Sequence, residues 1–254
     1  MRERYAVIPG AESFYIEGND TAILISHGFV GTPQSVRFLG EELAKRGFTI
    51  LAPRLKGHGT HYYDMEKCTH EDWFESLEQG FQFLKQRGKR IFVMGQSMGG
   101  TLTLKLAAQY KEIEGIILIN SALSIPSLEY LKAEQGPRFI PEGAPDIKAK
   151  DVFEITYPKV PLKAVHEIQE LMEQAPAVFP KVTCPALLIK SAIDHVVPPE
   201  STDRIFKTIG SKQKELLVLE NSYHVASMDN DKEEIVRQAS EFIKQYQVRL
   251  DRVI

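Results

Sequence analysis

Arg90-Ile91-Phe92-Val93-Met94-Gly95-Gln96-Ser97-Met98-Gly99-Gly100 runs an apolar strand straight into Gly-x-Ser-x-Gly, and a helix-forming run from Thr101 to Tyr110 follows at once. The pentapeptide alone is weak evidence. With glycine at about 7% and serine at about 6% of residues, a chain of this length holds one by chance roughly 6% of the time. The flanking strand and helix raise it above chance. Together they spell a nucleophile elbow, a turn so tight that the serine stands at its tip with strained backbone angles. Gly95 and Gly99 are required because strand and helix pack together there, and a Cβ would collide.

Outward from the elbow, short apolar runs alternate with helical patterns, the signature of a mostly parallel α/β sheet with helices on both faces. Strands are expected at Ala22 to Ser26, Thr49 to Ala52, Arg90 to Met94, Gly115 to Asn120, Ala186 to Ser191 and Glu215 to Leu219. Weaker candidates near Tyr5 to Pro9 and Ser13 to Ile16 could form an antiparallel entry. Helices are expected at Gln34 to Arg46, Thr69 to Gln86, Gly100 to Tyr110, Pro199 to Ile209 and Asp231 to Gln247. Val36, Leu39, Leu43 and Ala44 sit at helical spacing in the first of these, and Gly47 ends it as a C′ residue.

One region breaks the alternation. From about Ser124 to Ala175 no strand is expected, and prolines recur at 126, 137, 141, 145, 158 and 161. Leu162, Val165, Ile168, Leu171 and Met172 define one amphipathic helix there. This predicts a core of residues 1–123 and 176–254, with 124–175 inserted over the C-terminal edge of the sheet, where active-site lids belong. The plainer alternative is a structural excursion without function.

The chain has 254 residues, 43% apolar and 26% charged, a size and balance suited to one soluble α/β domain. A net charge of −3 argues against nucleic acid or an anionic membrane as partner, since both need a basic surface. The two cysteines, Cys68 and Cys184, are too few for a disulfide framework and read as free buried thiols. Met1-Arg2-Glu3-Arg4-Tyr5 opens with charges and no apolar run follows, so no secretion signal is expected. No apolar run approaches membrane-spanning length, so a cytoplasmic location is the default expectation.

Ser97 needs a base, because an alcohol is a poor nucleophile at neutral pH, and the base needs an acid to orient it. Two later strands run into suitable residues: one leads to Asp194, the next to His224. Adjacent strands would bring the two within reach, and the order Ser, Asp, His is the one this chemistry takes on a doubly wound sheet. The chain has seven histidines. His195 neighbours Asp194, so its side chain points the other way along an extended backbone. His27 precedes Gly28 in a loop better suited to backbone donors, and His58 between Gly57 and Gly59 suggests a tight turn. His61, His70 and His166 fall in a loop, at a helix start and in the insertion. The pair His58-x-x-His61 lacks a third ligand nearby, so no metal is expected. Acyl transfer also needs donors for an oxyanion. Met98, following the nucleophile, offers one N–H, and Phe29 in Ile25-Ser26-His27-Gly28-Phe29-Val30-Gly31 is the best candidate for the second.

At these residues the chain resembles the α/β-hydrolase superfamily over nearly its full length. More closely, it resembles the small bacterial carboxylesterases and the Bacillus-type monoacylglycerol lipases among them. The segments that carry the resemblance are His27-Gly28-Phe29-Val30-Gly31-Thr32-Pro33-Gln34-Ser35, Pro53-Arg54-Leu55-Lys56-Gly57-His58-Gly59-Thr60, and Gly95-Gln96-Ser97-Met98-Gly99-Gly100. Asp194-His195-Val196-Val197-Pro198-Pro199 and Glu220-Asn221-Ser222-Tyr223-His224-Val225-Ala226 complete the set. The resemblance implies Ser97, Asp194 and His224 as the triad, and Phe29 and Met98 as the oxyanion hole. It also implies a small cap, an apolar acyl channel and a polar pocket for the alcohol, in which Asn120 and Glu154 would hold glycerol hydroxyls. One cap position that is apolar in such relatives falls on or near Gly143.

The expected activity is therefore hydrolysis of carboxylic esters, monoacylglycerols foremost, through an acyl-enzyme and with no cofactor. The expected partner is a small ester molecule, and the expected state a monomer or homodimer. A thioesterase or acyltransferase would use the same triad. A non-catalytic binding or sensor protein on the same fold is the reading from a different class, although such proteins often lose a triad member. A dehalogenase or epoxide hydrolase needs an aspartate nucleophile, which Ser97 excludes.

Overall fold

Along Thr21–Ser26 every side chain is buried, and the strand divides its residues between two cores. Ala22 and Leu24 join the cluster on one face of the sheet, Ile23 and Ile25 the cluster on the other. The same division by alternate residues recurs in the next three central strands, as Ile91 and Val93 against Phe92 and Met94, Ile116 and Leu118 against Ile117 and Ile119, and Leu188 against Leu187 and Ile189. A strand covered on both faces reads as a continuous apolar run because both side-chain sets are buried.

The computed structural model describes residues 3–132 and 136–251. Met1 and Arg2 of the charged opening, and positions 133–135 of the expected insertion, lie outside the described residues. The elements in chain order are β1 (Phe14–Ile16), β2 (Thr21–Ser26), α1 (Arg37–Lys45), β3 (Thr49–Ala52), α2 (Tyr62–Met65), α3 (His70–Gln86), β4 (Arg90–Gln96), α4 (Met98–Gln109) and β5 (Ile113–Ile119). There follow β6 (Phe139–Pro141), β7 (Lys159–Pro161), α5 (Leu162–Gln174), β8 (Ala186–Ser191), α6 (Glu200–Thr208), β9 (Lys214–Leu219) and α7 (Lys232–Asp251). Helices α1 and α7 bury apolar side chains against one face of the sheet and α3 and α4 against the other, with α5 packed on α3 and α4.

The main sheet has the order β1-β3-β2-β4-β5-β8-β9, parallel except for β1, which pairs antiparallel with β3. The chain moves from β2 outward to β3, then returns to place β4 on the other side of β2. Reversal of winding opens a crevice at the C-terminal ends of β2 and β4, the position where ligands bind in such sheets. Register fixes what meets there: Ser26 pairs with Gly95, so the residues that follow this pair, His27-Gly28 and Gln96-Ser97, emerge side by side.

Several boundaries differ from the sequence expectation. Strand β4 continues through Gly95 and Gln96, because both are still laddered to neighbouring strands, and α4 begins at Met98 rather than Gly100. Low helix propensity makes a Met-Gly-Gly start read as turn, whereas the elbow forces the helix to begin directly after Ser97. Tyr5 to Pro9 forms no strand. The strand-free expectation for residues 124–175 is corrected: β6 and β7 pair antiparallel, Phe139 with Pro161 and Pro141 with Lys159. Three-residue strands are too short to show a period, and the prolines that suggested loop sit at their ends, where a missing N–H is tolerated. Gly47 does end α1, with φ +99°, its N–H bonded to Ala44 O and that of Phe48 to Leu43 O.

The insertion is pinned to the rest at several points. The Tyr157 hydroxyl donates to Gly57 O at 2.7 Å and accepts from Thr60 N at 2.8 Å. The Gln34 amide donates to Phe153 O at 2.7 Å and accepts from Ile155 N at 3.1 Å, bracketing Glu154 from both sides.

Candidate active site

Ser97 has φ 55° and ψ −121°, a left-handed backbone that a residue with a side chain adopts only when its surroundings compel it. What compels it is packing around three glycines. A Cβ on Gly95 would lie 2.1 Å from Gly99 O, and one on Gly99 would lie 2.4 Å from Ser26 O. One on Gly100 would lie 2.0 Å from Ser121 Oγ. Ser97 N donates to Ile119 O at 2.9 Å, and Ser97 O accepts from Gly100, so the turn is anchored by its own backbone.

The Ser97 Oγ lies 2.9 Å from His224 Nε2, and His224 Nδ1 lies 2.8 Å from Asp194 Oδ2. Asp194 is supplied by the loop after β8 and His224 by the loop after β9, two neighbouring strands. The other carboxylate oxygen of Asp194 accepts from Val196 N at 2.9 Å and Val197 N at 2.8 Å, which leaves Oδ2 free to face the imidazole. Both side chains are nearly buried, at 9% exposure for His224 and 2% for Asp194. Since a carboxylate can only accept, Nδ1 must carry the proton and Nε2 is the acceptor facing the serine hydroxyl.

The Phe29 loop passes close beside this group. A Cβ on Gly28 would sit 3.4 Å from Ser97 Cβ and 3.9 Å from Ser97 Oγ. Val30 in the same loop carries φ 63°, a second residue with a side chain held in the left-handed region. Met98 opens α4, so its N–H has no carbonyl one turn earlier to bond and points out of the helix start. Both candidate oxyanion donors are thus on backbone adjacent to Ser97.

His27 organises that loop. Its Nδ1–H donates to Gly28 O at 2.9 Å and Nε2 accepts from Leu55 N at 3.1 Å, a pattern only the neutral ring can make. Full burial pushes its pKa down to about 4, and His58, whose ring packs edge-on at 5.1 Å, is shifted in the same direction. The unfolded chain, with an ordinary histidine pKa near 6.5, takes up the proton first as pH falls. The stabilisation by neutral His27 is therefore complete above about pH 6.5 and lost as pH drops through about 4, on the order of 3 kcal/mol in all. Urea unfolding from pH 7 to 4 should show a shallower loss of stability in His27→Gln than in the parent; equal slopes would refute the assignment.

A cavity of about 630 Å³ opens onto Ser97 and His224. Ile125, Leu128, Ile140, Val160, Val165 and Val225 supply apolar wall, while Glu142 and Glu154 supply carboxyls. Burial raises both carboxyls to about 7. Glu154 also feels the nearby His224, which opposes that rise. Its Oε1 would be 2.9 Å from a Cβ on Gly31, so the glycine makes room for the carboxyl. Gly143 lines the same cavity with nothing near its α-carbon to restrict a larger side chain.

Asn120, expected to hold a substrate hydroxyl, is not among the residues that line the cavity with Glu154. Its Nδ2 donates to Ser191 Oγ at 3.0 Å and His224 O at 2.9 Å, and its Oδ1 accepts from Ser191 N at 2.8 Å. With φ 44° and 3% exposure it is a buried strut between β8 and the His224 loop, with both amide ends already occupied. Sequence reasoning also passed over Gln34, which clamps Glu154's flanks, and Asp146 and Asp229. The Asp229 carboxylate accepts from Lys148 N, Ala149 N and Tyr223 N at 2.7–2.8 Å, joining the insertion to the His224 loop. Surface-looking polar residues give no sequence signal for such tasks.

Among the described residues no helix is long and apolar enough to cross a membrane. Cys68 is buried and Cys184 half-buried, and neither is in a disulfide.

Residues 18–231 match the family described as Serine aminopeptidase, S33. The chain is 46% identical over 248 residues to the thermostable monoacylglycerol lipase of Bacillus sp. (strain H-257), covering 97% of this chain and 99% of that relative. It is 28% identical over 237 residues to a carboxylesterase of Bacillus subtilis (strain 168), covering 91% and 95% respectively. A solved structure from the LipS and LipT pair of metagenome-derived lipolytic enzymes superposes with a TM-score of 0.91 at 44% identity, over 94% of this chain and all of that one. The monoglyceride lipase of Saccharomyces cerevisiae shares the fold, with a TM-score of 0.78 at 18% identity over 92% and 90% of the two chains.

Proposed function

From the chain's membership of the Serine aminopeptidase, S33 family of α/β hydrolases, we propose that it hydrolyses carboxylic esters, with monoacylglycerols as the preferred substrates. The observation that carries this reading is the hydrogen-bonded line Ser97–His224–Asp194 opening on a cavity lined mainly by apolar side chains and by the carboxyls of Glu142 and Glu154. Ser97 Oγ attacks the ester carbonyl carbon as His224 Nε2 takes its proton, and Asp194 stabilises the imidazolium formed. The Phe29 and Met98 N–H groups receive the oxyanion. His224 then returns the proton to the departing alcohol, and water repeats the cycle on the acyl-enzyme. His224 carries the proton in both halves of the cycle, from Ser97 to the alcohol and then from water back to Ser97, while the negative charge rests on the substrate oxygen. In this reading residues 124–175 serve as the cap and supply most of the acyl wall.

The preference for monoacylglycerol rests on the 46% identical lipase and on Glu154. A carboxyl with a pKa near 7, over Gly31 and close to His224, can donate to or accept from a diol and has few protein partners to lose. A site that bonds substrate hydroxyls discriminates against analogues without them, because its own buried polar group is left unpaired. Glu154→Ala should therefore lower kcat/KM on a monoacylglycerol by about tenfold to a hundredfold and barely change it on the matched ethyl ester.

One substrate panel tests the whole reading. Monoacylglycerols, triacylglycerols, ethyl esters and acyl thioesters of equal chain length should rank with monoacylglycerols first. Ethyl esters turned over equally well would remove the glycerol preference while keeping the esterase. Thioesters preferred over every oxygen ester would replace it with a thioesterase.

A further inference from the structure

Acid and base reach Ser97 on two separate loops, and one carboxylate outside the triad joins them. Asp146, from the inserted segment, lies between the Asp194 loop and the His224 loop. Its Oδ2 accepts from His195 N at 3.1 Å and from His224 N at 3.2 Å, and its Oδ1 meets His195 Nδ1 at 2.8 Å. Its main-chain carbonyl also accepts from Val225 N at 3.1 Å. The residue immediately after the acid and the base itself are thus hydrogen-bonded to a single side chain, which is only 15% exposed.

We infer that Asp146 is a positioning residue for the triad, holding the acid and base loops in register so that the insertion sets the alignment of His224 between Asp194 and Ser97. This rests on the hydrolase reading of Ser97. The physical reason lies in the geometry of loops: each leaves its strand separately, and nothing in the ladder between β8 and β9, which ends at Ser191 and Leu219, fixes residues beyond it. A charged acceptor is suited to the task because backbone N–H groups bond a carboxylate more strongly than a neutral oxygen. Asp229 holds Lys148 and Ala149 from the other direction, so the segment that carries Asp146 is itself fixed. Loss of the junction should displace His224 by a fraction of an ångström to an ångström, a scale at which turnover falls by about tenfold to a hundredfold.

Asp146 also lines the cavity beside Ser97, so turnover of a short activated ester, which makes few contacts with the insertion, reads alignment in kcat and binding in KM. Asp146→Ala should lower kcat about tenfold to a hundredfold with KM within about twofold. Asp146→Asn keeps an acceptor for the two N–H groups and can donate to neutral His195, so its kcat should stay within about threefold of the parent. His195→Ala removes only the ring contact and should behave like the parent. The low-field proton resonance of His224 Nδ1–H, which needs no turnover, should shift or vanish in Asp146→Ala and persist in Asp146→Asn. An unchanged kcat or resonance in folded Asp146→Ala overturns the inference, as does a rise in KM that accounts for the whole loss. If Asp146→Ala does not fold, Asp146→Ser decides: its shorter side chain cannot reach both N–H groups, so kcat should fall about tenfold or more, and an unchanged kcat in folded Asp146→Ser overturns the role. A parent that neither cleaves the ester nor is labelled by a fluorophosphonate sinks the hydrolase reading instead, a result distinct from all of these.

Discussion

Ser97→Ala is expected to lower ester turnover by about 10⁴- to 10⁶-fold and to abolish stoichiometric labelling by a fluorophosphonate, with the fold intact. The size follows from what the substitution removes. Alanine keeps the Cβ, and Ser97 is anchored through its backbone to Ile119 and Gly100, so the turn survives. What disappears is the one atom that can bond to the acyl carbon. On the proposed mechanism Ser97, His224 and Asp194 act as a unit, so adding His224→Ala to Ser97→Ala should cost almost nothing more. A further large drop in the double variant would mean that His224 acts independently of Ser97. Labelling that persists in Ser97→Ala would move the nucleophile elsewhere.

The second large effect is on folding. Gly95→Ala should destabilise the protein by more than about 3 kcal/mol, enough to remove much of the margin of an ordinary domain. The added methyl would meet Gly99 O at 2.1 Å and Thr103 Oγ1 at 2.5 Å. Gly99 has little room to retreat, since a Cβ on it would itself lie 2.4 Å from Ser26 O and 2.6 Å from His27 O. Strand β4, helix α4 and the end of β2 are thus wedged at backbone contact, and this wedge is what strains Ser97. Gly88→Ala is the informative control. Gly88 has φ +67° but nothing within 4 Å of a Cβ, so only the left-handed penalty of about 1 kcal/mol applies. Chemical denaturation of the two variants side by side checks the contrast; equal losses would show that backbone angle, not contact, governs both.

Much of this was legible in the sequence because it depends on local pattern. Short apolar runs mark the strands, buried on both faces at the centre of the sheet and half-exposed at the β9 edge, so β2, β3, β4, β5, β8 and β9 could be read to within two residues. Glycines at 95 and 99 imply backbone contact whatever the rest of the chain does. Strand ends followed by Asp194 and His224 point to adjacent loops once the winding is known. The two short strands of the insertion were not legible, since three residues hold no period and the prolines suggested loop. The task of Asn120 was not legible for a different reason: an asparagine after a strand looks the same whether or not its amide ties Ser191 to His224, as it does here.

What the sequence determined by itself is the α/β class, the position of the elbow and the order of the groups that surround it, all set by periodicity and backbone sterics within a few residues. What the tertiary structure alone decided is which polar side chains serve the cavity and which serve the scaffold. Glu154 stands in the cavity because Gln34, 120 positions earlier, grips the peptides on either side of it. Asp146 joins the acid and base loops from the inserted segment. A hydrogen bond acts over about 3 Å while its partners lie anywhere along the chain, so its existence is written in the fold and in no local stretch of residues.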